Sequence, residues 1–401
     1  MPTDHYDYLV IGAGLVGLSV AYQLKIKDPD CKIMLIEKES DVAKHQSGHN
    51  SGVIHSGIYY KPGSLKAQNC ISGYHNLIEF AQEHHISYEI CGKLIVAVNN
   101  KEEAILQQIY KKGINNGLTG ITQLCAQQIK EIEPHCAGIK ALRVPQTGII
   151  DYPGVANTLL KLYHKLGGES SFNEKVSKVQ IVKDSVLVTT SSGQYVSKKL
   201  VSCAGLFSDR VANYTERKND LRIIPFRGEY FELKKEKQYL INNLIYPVPN
   251  PNFPFLGVHF TRMINGGIEA GPNAVLAFKR EGYKFSDFSS RDCWETFSWP
   301  GFWKIVAKYG KTGMGEIYRS LSKTAFTKAL QVLVPELQEQ DLIPGGAGIR
   351  AQACDRHGSL IDDFNILKRG NIIHVRNAPS PAATSSLAIG IHISNQITTL
   401  N

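Results

Sequence analysis

The sequence predicts an α/β fold: a Rossmann-like nucleotide-binding domain assembled from separated segments, with an α+β domain built on a mostly antiparallel sheet inserted between them. Three observations predict it. A glycine-rich turn, Gly12-Ala13-Gly14-Leu15-Val16-Gly17, sits between an apolar strand and a helix near the start of the chain. A second alternating α/β block closes on the apolar residues 200–203 and Ala204-Gly205. Between that block and the C-terminal segment, residues 223–271 alternate in polarity and are rich in Pro and aromatics, the pattern of antiparallel strands. At 401 residues the chain holds two or three domains of the usual ~100–200 residues each.

In order along the chain, residues 8–11 are apolar and bounded by glycine, which reads as a strand. Residues 18–27 are amphipathic and close before Pro29, and residues 32–37 form a second apolar strand. Strand, turn, helix and strand in so short a span fit a right-handed parallel crossover. Residues 71–83 have helical spacing, 93–98 read as a strand, and 102–110 as a helix whose pattern Gly113, Gly117 and Gly120 break. A helix over 155–166 precedes strands at 176–182 and 185–190. Residues 283–330 carry all three Trp at helical spacing. Pro344-Gly345-Gly346-Ala347 reads as a flexible turn before a strand holding Arg350; strands continue to Asn377, and 387–398 form the last helix. The expected nucleotide domain is 1–87, 151–221 and 343–401, and the expected insert is 88–150 and 222–342.

Composition excludes several classes. Hydrophobic residues at 43% and charged residues at 20% are those of an ordinary folded protein, neither disordered nor fibrous. The net charge of +9 is scattered; one of the denser clusters, Lys234, Lys235 and Lys237, is interrupted by Glu236 and preceded by Glu232. That is a solvated basic face, so no specific nucleic-acid partner is expected. Eight cysteines without a C-x-x-C pair or a His/Cys cluster point to reduced thiols and to no metal site. Met1-Pro2-Thr3-Asp4 leads straight into a strand by Tyr8, leaving no room for a signal or transit peptide. No apolar run reaches the ~18–20 residues of a membrane span, so the expected location is the cytoplasm, with peripheral attachment to the inner face of a membrane compatible with it.

The glycine turn specifies a ligand. Gly12 permits the tight turn, Gly14 lets backbone approach a pyrophosphate, and Gly17 lets the helix pack against the strand. The helix N-terminus offers free N–H groups and a positive dipole end to the diphosphate. Glu37 lies 20 residues past the last glycine, where its carboxylate is expected to accept from ribose hydroxyls and to repel a 2′-phosphate. NADP is thereby disfavoured. FAD is favoured over NAD because the segment after the motif, 47–60, is rich in Gly, Ser and His rather than a second strand–helix repeat.

His49, His55 and His259 have the most unusual settings among the histidines, Gly48-His49-Asn50-Ser51-Gly52-Val53-Ile54-His55 and Gly257-Val258-His259. A histidine can take a hydroxyl proton while hydride leaves the same carbon for flavin N5; a packed structural histidine is the other reading. Arg350, like Arg227 in Pro225-Phe226-Arg227-Gly228, can grip a carboxylate through two parallel bonds or form a surface ion pair. Asn377-Ala378-Pro379-Ser380-Pro381-Ala382-Ala383-Thr384 precedes the last helix, either as a pocket for negative charge or as a plain helix cap. Tyr59 and Tyr60 are pocket hydroxyls or packed aromatics. No G-x-S-x-G, H-E-x-x-H or Walker sequence is present.

With these segments in hand the chain resembles the D-amino-acid-oxidase/glycerol-3-phosphate-dehydrogenase class of FAD proteins, through Gly12 to Glu37, Ala204-Gly205 and Gly348-Ile349-Arg350. Within that class it is similar to the L-2-hydroxyglutarate oxidase/dehydrogenase family, through residues 48–57, Gly63-Ser64-Leu65-Lys66-Ala67, residues 271–278, Lys279-Arg280-Glu281-Gly282-Tyr283 and residues 378–390. The resemblance implies FAD-dependent oxidation of L-2-hydroxyglutarate to 2-oxoglutarate, with electrons passing to oxygen, a quinone or a carrier. It implies an FAD site made by Gly12, Gly14, Gly17, Glu37, Lys38, Ser47, Asn50, Ser51, Gly52, Val176, Ala204, Gly205, Ser380, Ala383 and Thr384. The catalytic expectation is Arg350 on the C1 carboxylate, His259 as proton acceptor and His55 along the flavin face, with Arg227 or Lys66 meeting the distal carboxylate of the dicarboxylate substrate. Rival readings are a related FAD enzyme acting on an amino acid or glycerol 3-phosphate, and a basic protein binding nucleic acid or a membrane surface.

Overall fold

The computed structural model describes residues 5–216, 220–251 and 255–400. The leader reading of residues 1–4 and three residues, 252–254, of the stretch read as antiparallel sheet lie outside them. The N-terminal strand is His5–Ile11, and it lies at the centre of one sheet, parallel to Ile33–Ile36 on one side and to Gln194–Ser202 on the other. Glu169–Ser171 continues the sheet beyond Ile33–Ile36. The strand Gln194–Ser202 pairs antiparallel with Ser185–Thr190 along its first half and parallel with Ile372–Asn377 along its second. The sheet is therefore drawn from three distant parts of the chain.

The helix following the glycine turn spans Leu15–Lys27, beginning three residues before the periodicity places it. Leu15, Leu18, Val20, Ala21 and Leu24 are all buried, and the helix packs against Tyr152–Lys165 and Ser386–Thr398 as well as against the sheet. Covered on several sides, it has no polar stripe from which its start could be read. The helix Leu65–Glu83 likewise begins early, where Ser64 caps it by accepting from the Ala67 N–H.

The second sheet is mixed. Its order runs Val275–Leu276, Leu221–Leu233, Ile268–Gly271, His259–Arg262, Leu244–Pro247, Lys93–Ala97, Lys140–Val144, Thr122–Cys125, with Leu342–Asp355 along the other length of Leu221–Leu233. Leu244–Pro247 runs parallel to Lys93–Ala97, and the remaining pairings are antiparallel. That parallel pair joins the 88–150 segment to the 222–342 segment.

Two local expectations change. Gly113 does not break a helix: Asn100–Asn115 runs through it, and a Cβ there would come within 2.6 Å of Ile121 and 3.1 Å of Ile58. The glycine serves close packing. Pro344-Gly345-Gly346-Ala347 is not a turn either but part of the strand Leu342–Asp355, in register with Leu221–Leu233 across an irregularity at Glu229/Phe231. A Cβ on Gly348 would lie 2.7 Å from the His49 carbonyl, so the small residues admit a crossing segment. Residues 283–330 resolve into the helices Ser290–Phe297, Pro300–Leu321 and Lys323–Gln331.

Candidate active site

The strand His5–Ile11 delivers Gly12 in a conformation with φ +101°, and a Cβ there would lie 2.5 Å from the Cys203 carbonyl oxygen. A Cβ on Gly17 would lie 1.9 Å from the Gly12 carbonyl oxygen and one on Gly14 3.1 Å from Ser47 Oγ. No side chain caps the helix at Gly14 and no acid occupies its first turn, so its positive end remains available to an anion. Ser47 Oγ accepts from the Leu15 N–H at 3.0 Å. Glu37 holds the turn from beneath, accepting from the N–H groups of Ala13 at 2.7 Å and Glu39 at 3.0 Å.

From this turn a cavity of about 850 Å³ runs into the molecule, within the range of cofactor and ligand sites. Gly12, Gly14, Gly17, Glu37, Lys38, Ser47, Asn50, Ser51, Val176, Ala204, Gly205, Ser380 and Ala383 line it, as do His49, His55, His259 and Arg350. Gly52 and Thr384 do not. Gly52 takes φ +66°, its N–H bonded to Asn50 Oδ1 at 2.9 Å. Thr384 is fully buried behind the wall, where its Oγ1 accepts from the His55 N–H at 3.1 Å and meets Tyr152 Oη at 2.9 Å. Lys38 reaches the cavity with its charge already matched by Glu39 and, at 2.5 Å, by Glu281.

Around His55 and His259 the cavity is cationic, with the charges of Arg350 and Lys93 acting on both imidazoles. The strand His259–Arg262 places His259, 6% exposed, beside Tyr246, ring centroids 4.0 Å apart. His259 Nδ1 lies 2.9 Å from the Gly257 carbonyl oxygen. A carbonyl only accepts, so Nδ1 carries the proton and Nε2 keeps the lone pair. Burial lowers the His259 pKa to about 3, against the Gly257 hydrogen bond, and the charges of Arg350 and Lys93 lower it further. His55 is lowered to about 3 as well, by burial first and then by Lys93, His259, Lys66 and Arg350. Both imidazoles are neutral at physiological pH. Arg350 has no carboxylate partner among the described residues; its guanidinium lies 5.3 Å from the Phe255 ring.

The two residues expected near a distal carboxylate are placed differently. Arg227 is 3% exposed, pairs with Glu229 at 2.8 Å and does not line the cavity. It is consumed by its neighbour two positions on. Lys66 lines the cavity, pairs with Asp362 at 2.7 Å and lies 4.7 Å from the Tyr60 ring. Sequence reasoning missed Tyr230, Tyr246, Gln46 and Phe255, which line the cavity, and Lys93, 2% exposed beneath it. A lysine opening the otherwise apolar Lys93-Leu94-Ile95-Val96-Ala97 was the available signal.

These residues fit a flavin dinucleotide. The turn is one that a Cβ would crowd, no acid opposes the helix end, and the cavity continues from Glu37 to residues 380–383. Comparison with known proteins agrees. The profile of the FAD-dependent oxidoreductase family matches residues 7–396. An L-2-hydroxyglutarate dehydrogenase of Indibacter alkaliphilus is 55% identical, covering 96% of this chain and 97% of its own. The human mitochondrial L-2-hydroxyglutarate dehydrogenase is 44% identical over 98% of this chain and 89% of its own. Among solved structures, the dithionite-reduced L-α-glycerophosphate oxidase of Mycoplasma pneumoniae with FAD bound superposes with a TM-score of 0.81 at 21% identity, over 98% of this chain and 95% of its own. That likeness concerns the fold. By profile and by its close relatives together, this chain belongs to the FAD-dependent oxidoreductase family, in the group of the L-2-hydroxyglutarate dehydrogenases.

Proposed function

We propose that this protein oxidises L-2-hydroxyglutarate to 2-oxoglutarate with FAD as cofactor, and passes the electrons to oxygen, a quinone or a carrier. One observation carries the reading: an unpaired Arg350 guanidinium and a neutral His259 with its Nε2 lone pair free line the same cavity, which begins at the glycine turn. Arg350 binds the C1 carboxylate through two parallel hydrogen bonds and so fixes C2. His259 Nε2 takes the proton of the C2 hydroxyl as the C2–H bond breaks and the ketone forms. FAD, when bound, supplies the acceptor for the hydride that leaves C2. His55, anchored through its N–H by Thr384, lines the same cavity as a second neutral imidazole. Tyr246 and Phe255 exclude water around the reacting carbon, which strengthens each of these interactions.

Anaerobic titration of the purified protein with L- and D-2-hydroxyglutarate tests this. The L form alone is expected to bleach the flavin. Bleaching by glycerol 3-phosphate or an amino acid in place of it would sink the proposal. We read the chain as two domains, 1–87, 151–221 and 343–401 for FAD and 88–150 and 222–342 for substrate; separate apolar cores support that division, while the strand Leu342–Asp355 crosses it by pairing with Leu221–Leu233 in the second sheet.

Peripheral contact with a membrane, where a quinone acceptor resides, is supported by one helix. On Pro300–Leu321 the exposed side chains of Trp303, Val306, Met314, Ile317 and Leu321 follow one stripe, with Lys304 and Lys308 exposed beside it. Apolar residues and Trp flanked by lysines suit an anionic bilayer surface. Among the described residues no helix is long and apolar enough to cross a membrane.

A further inference from the structure

We infer that Lys93 is the receptor for the distal carboxylate of the substrate and the residue that makes the enzyme select dicarboxylates. The inference rests on the substrate class proposed above. Lys93 opens the strand Lys93–Ala97 in the second sheet and is 2% exposed. Its Nζ lies 4.6 Å from the Tyr59 ring centroid and 4.9 Å from that of Tyr246, and both tyrosines line the cavity that holds His259 and Arg350. Among the described residues no carboxylate forms an ion pair with Lys93.

A buried ammonium held only by ring faces is incomplete, because charges taken out of water are ordinarily matched by opposite charges. The described groups that face it are the rings of Tyr59 and Tyr246, the Cys70 thiol, and His55 and His259, on which its charge acts. Each is neutral at pH 7. Tyr59 Oη is out of solvent and has no hydrogen-bond partner among the described residues. A carboxylate entering here supplies the missing charge to Lys93 and an acceptor to Tyr59 at once. Lys93 stands just behind the residues that line the cavity; the other Lys and Arg charges that, like its own, act on His55 are Arg350 and Lys66, and Lys66 is already paired with Asp362.

Burial lowers the Lys93 pKa to about 7, so in the free enzyme the ammonium is half lost near neutrality, and a bound carboxylate restores it. The consequence is a pH signature. For L-2-hydroxyglutarate, kcat/KM falls as pH rises through about 7, while kcat, set by the occupied site, does not. For L-2-hydroxypentanoate, which carries a methyl where the distal carboxylate stands, that fall is missing.

The test measures anaerobic flavin reduction by both substrates in the wild-type holoenzyme and in Lys93→Met, Lys93→Gln and Lys93→Arg. Lys93→Met is expected to lose roughly 10- to 150-fold in kcat/KM for the dicarboxylate, the range for a hydrogen bond to a charged group, chiefly through KM. It keeps its rate on the monocarboxylate, so selectivity collapses. Lys93→Arg moves the alkaline fall upward. Equal losses on both substrates, or a collapse in Lys66→Met but not in Lys93→Met, overturns the assignment. Should the variants lose FAD, the wild-type comparison decides alone: identical pH profiles for the two substrates overturn it. A wild-type flavin left oxidised by L-2-hydroxyglutarate overturns the substrate reading, and this inference with it.

Discussion

Replacing His259 by Gln removes the free Nε2 lone pair while leaving a side chain of similar length whose amide can still donate to the Gly257 carbonyl. The structure fixes what is lost. With Nδ1 committed to that carbonyl at 2.9 Å, Nε2 is the ring's one basic atom, and an amide nitrogen cannot replace it. Loss of a positioned general base slows proton transfer by ~10²–10⁴-fold, about 3–5 kcal/mol at 1.36 kcal/mol per decade. His259 lies at the end of the cavity away from the glycine turn, so FAD content should be unchanged. The assay is stopped-flow, single-turnover bleaching of the flavin by L-2-hydroxyglutarate without oxygen. Because burial lowers the His259 pKa to about 3, the base is already deprotonated at pH 5, and the wild-type bleaching rate should show no acid limb above that pH. A His259→Gln rate within threefold of wild type, or a wild-type acid limb near pH 6.5, would refute the role.

Other outcomes follow from the same geometry. Gly17→Val, whose Cβ would start 1.9 Å from the Gly12 carbonyl oxygen, should force the helix off the strand and yield colourless protein; a full complement of flavin absorbance would contradict the turn's role. Arg280, 1% exposed, binds Asp209 and, at 3.0 Å, Glu295. Arg280→Met leaves the buried Asp209 carboxylate with Arg222, 3.9 Å away, as its remaining charged partner and should cost about 3 kcal/mol in urea unfolding, the low end for a broken buried pair, with a loss under 1 kcal/mol as the contrary result. His55 and His259 titrate near 3 folded and near 6.5 unfolded, so the unfolded chain binds the extra protons as pH falls. Their contribution is complete above about 6.5 and declines toward 3, by up to ~1.4 kcal/mol per pH unit for each histidine; in His55→Phe the slope of unfolding free energy against pH in this window should fall by about that one increment. Sedimentation with anionic vesicles should fall when Trp303 and Leu321 are both changed to Ser, and unchanged sedimentation would remove Pro300–Leu321 from that contact.

The nucleotide site is largely legible in the sequence because its constraints are local. Gly12, Gly14, Gly17 and Glu37 act through backbone conformation and spacing within one strand–turn–helix–strand unit, and the structure places all four on the cavity. Periodicity puts the helix starts too late at Leu15 and Leu65, where burial on several sides or a cap sets the boundary instead. Gly113 reads as a breaker because a glycine demanded by packing and one demanded by a turn look alike in sequence. Thr384 is expected on the cavity wall and stands behind it, holding the His55 backbone; which of two adjacent small residues faces inward depends on a turn whose geometry the letters do not carry.

By itself the sequence determined the nucleotide-binding turn, the acid set beside it on the next strand, and the residue types able to bind a carboxylate and accept a proton. Only the tertiary structure decided which cations are free. Arg227, Lys66, Lys93 and Arg350 are equivalent as letters, yet Arg227 is neutralised by Glu229 and Lys66 by Asp362, while Arg350 and Lys93 meet no carboxylate among the described residues. It also decided the charge state of His259, since burial and a single carbonyl set both its pKa and its tautomer. The reason is range: backbone conformation is fixed by neighbours in sequence, whereas desolvation and the shape of a charged cavity are fixed by groups brought together from distant parts of the chain.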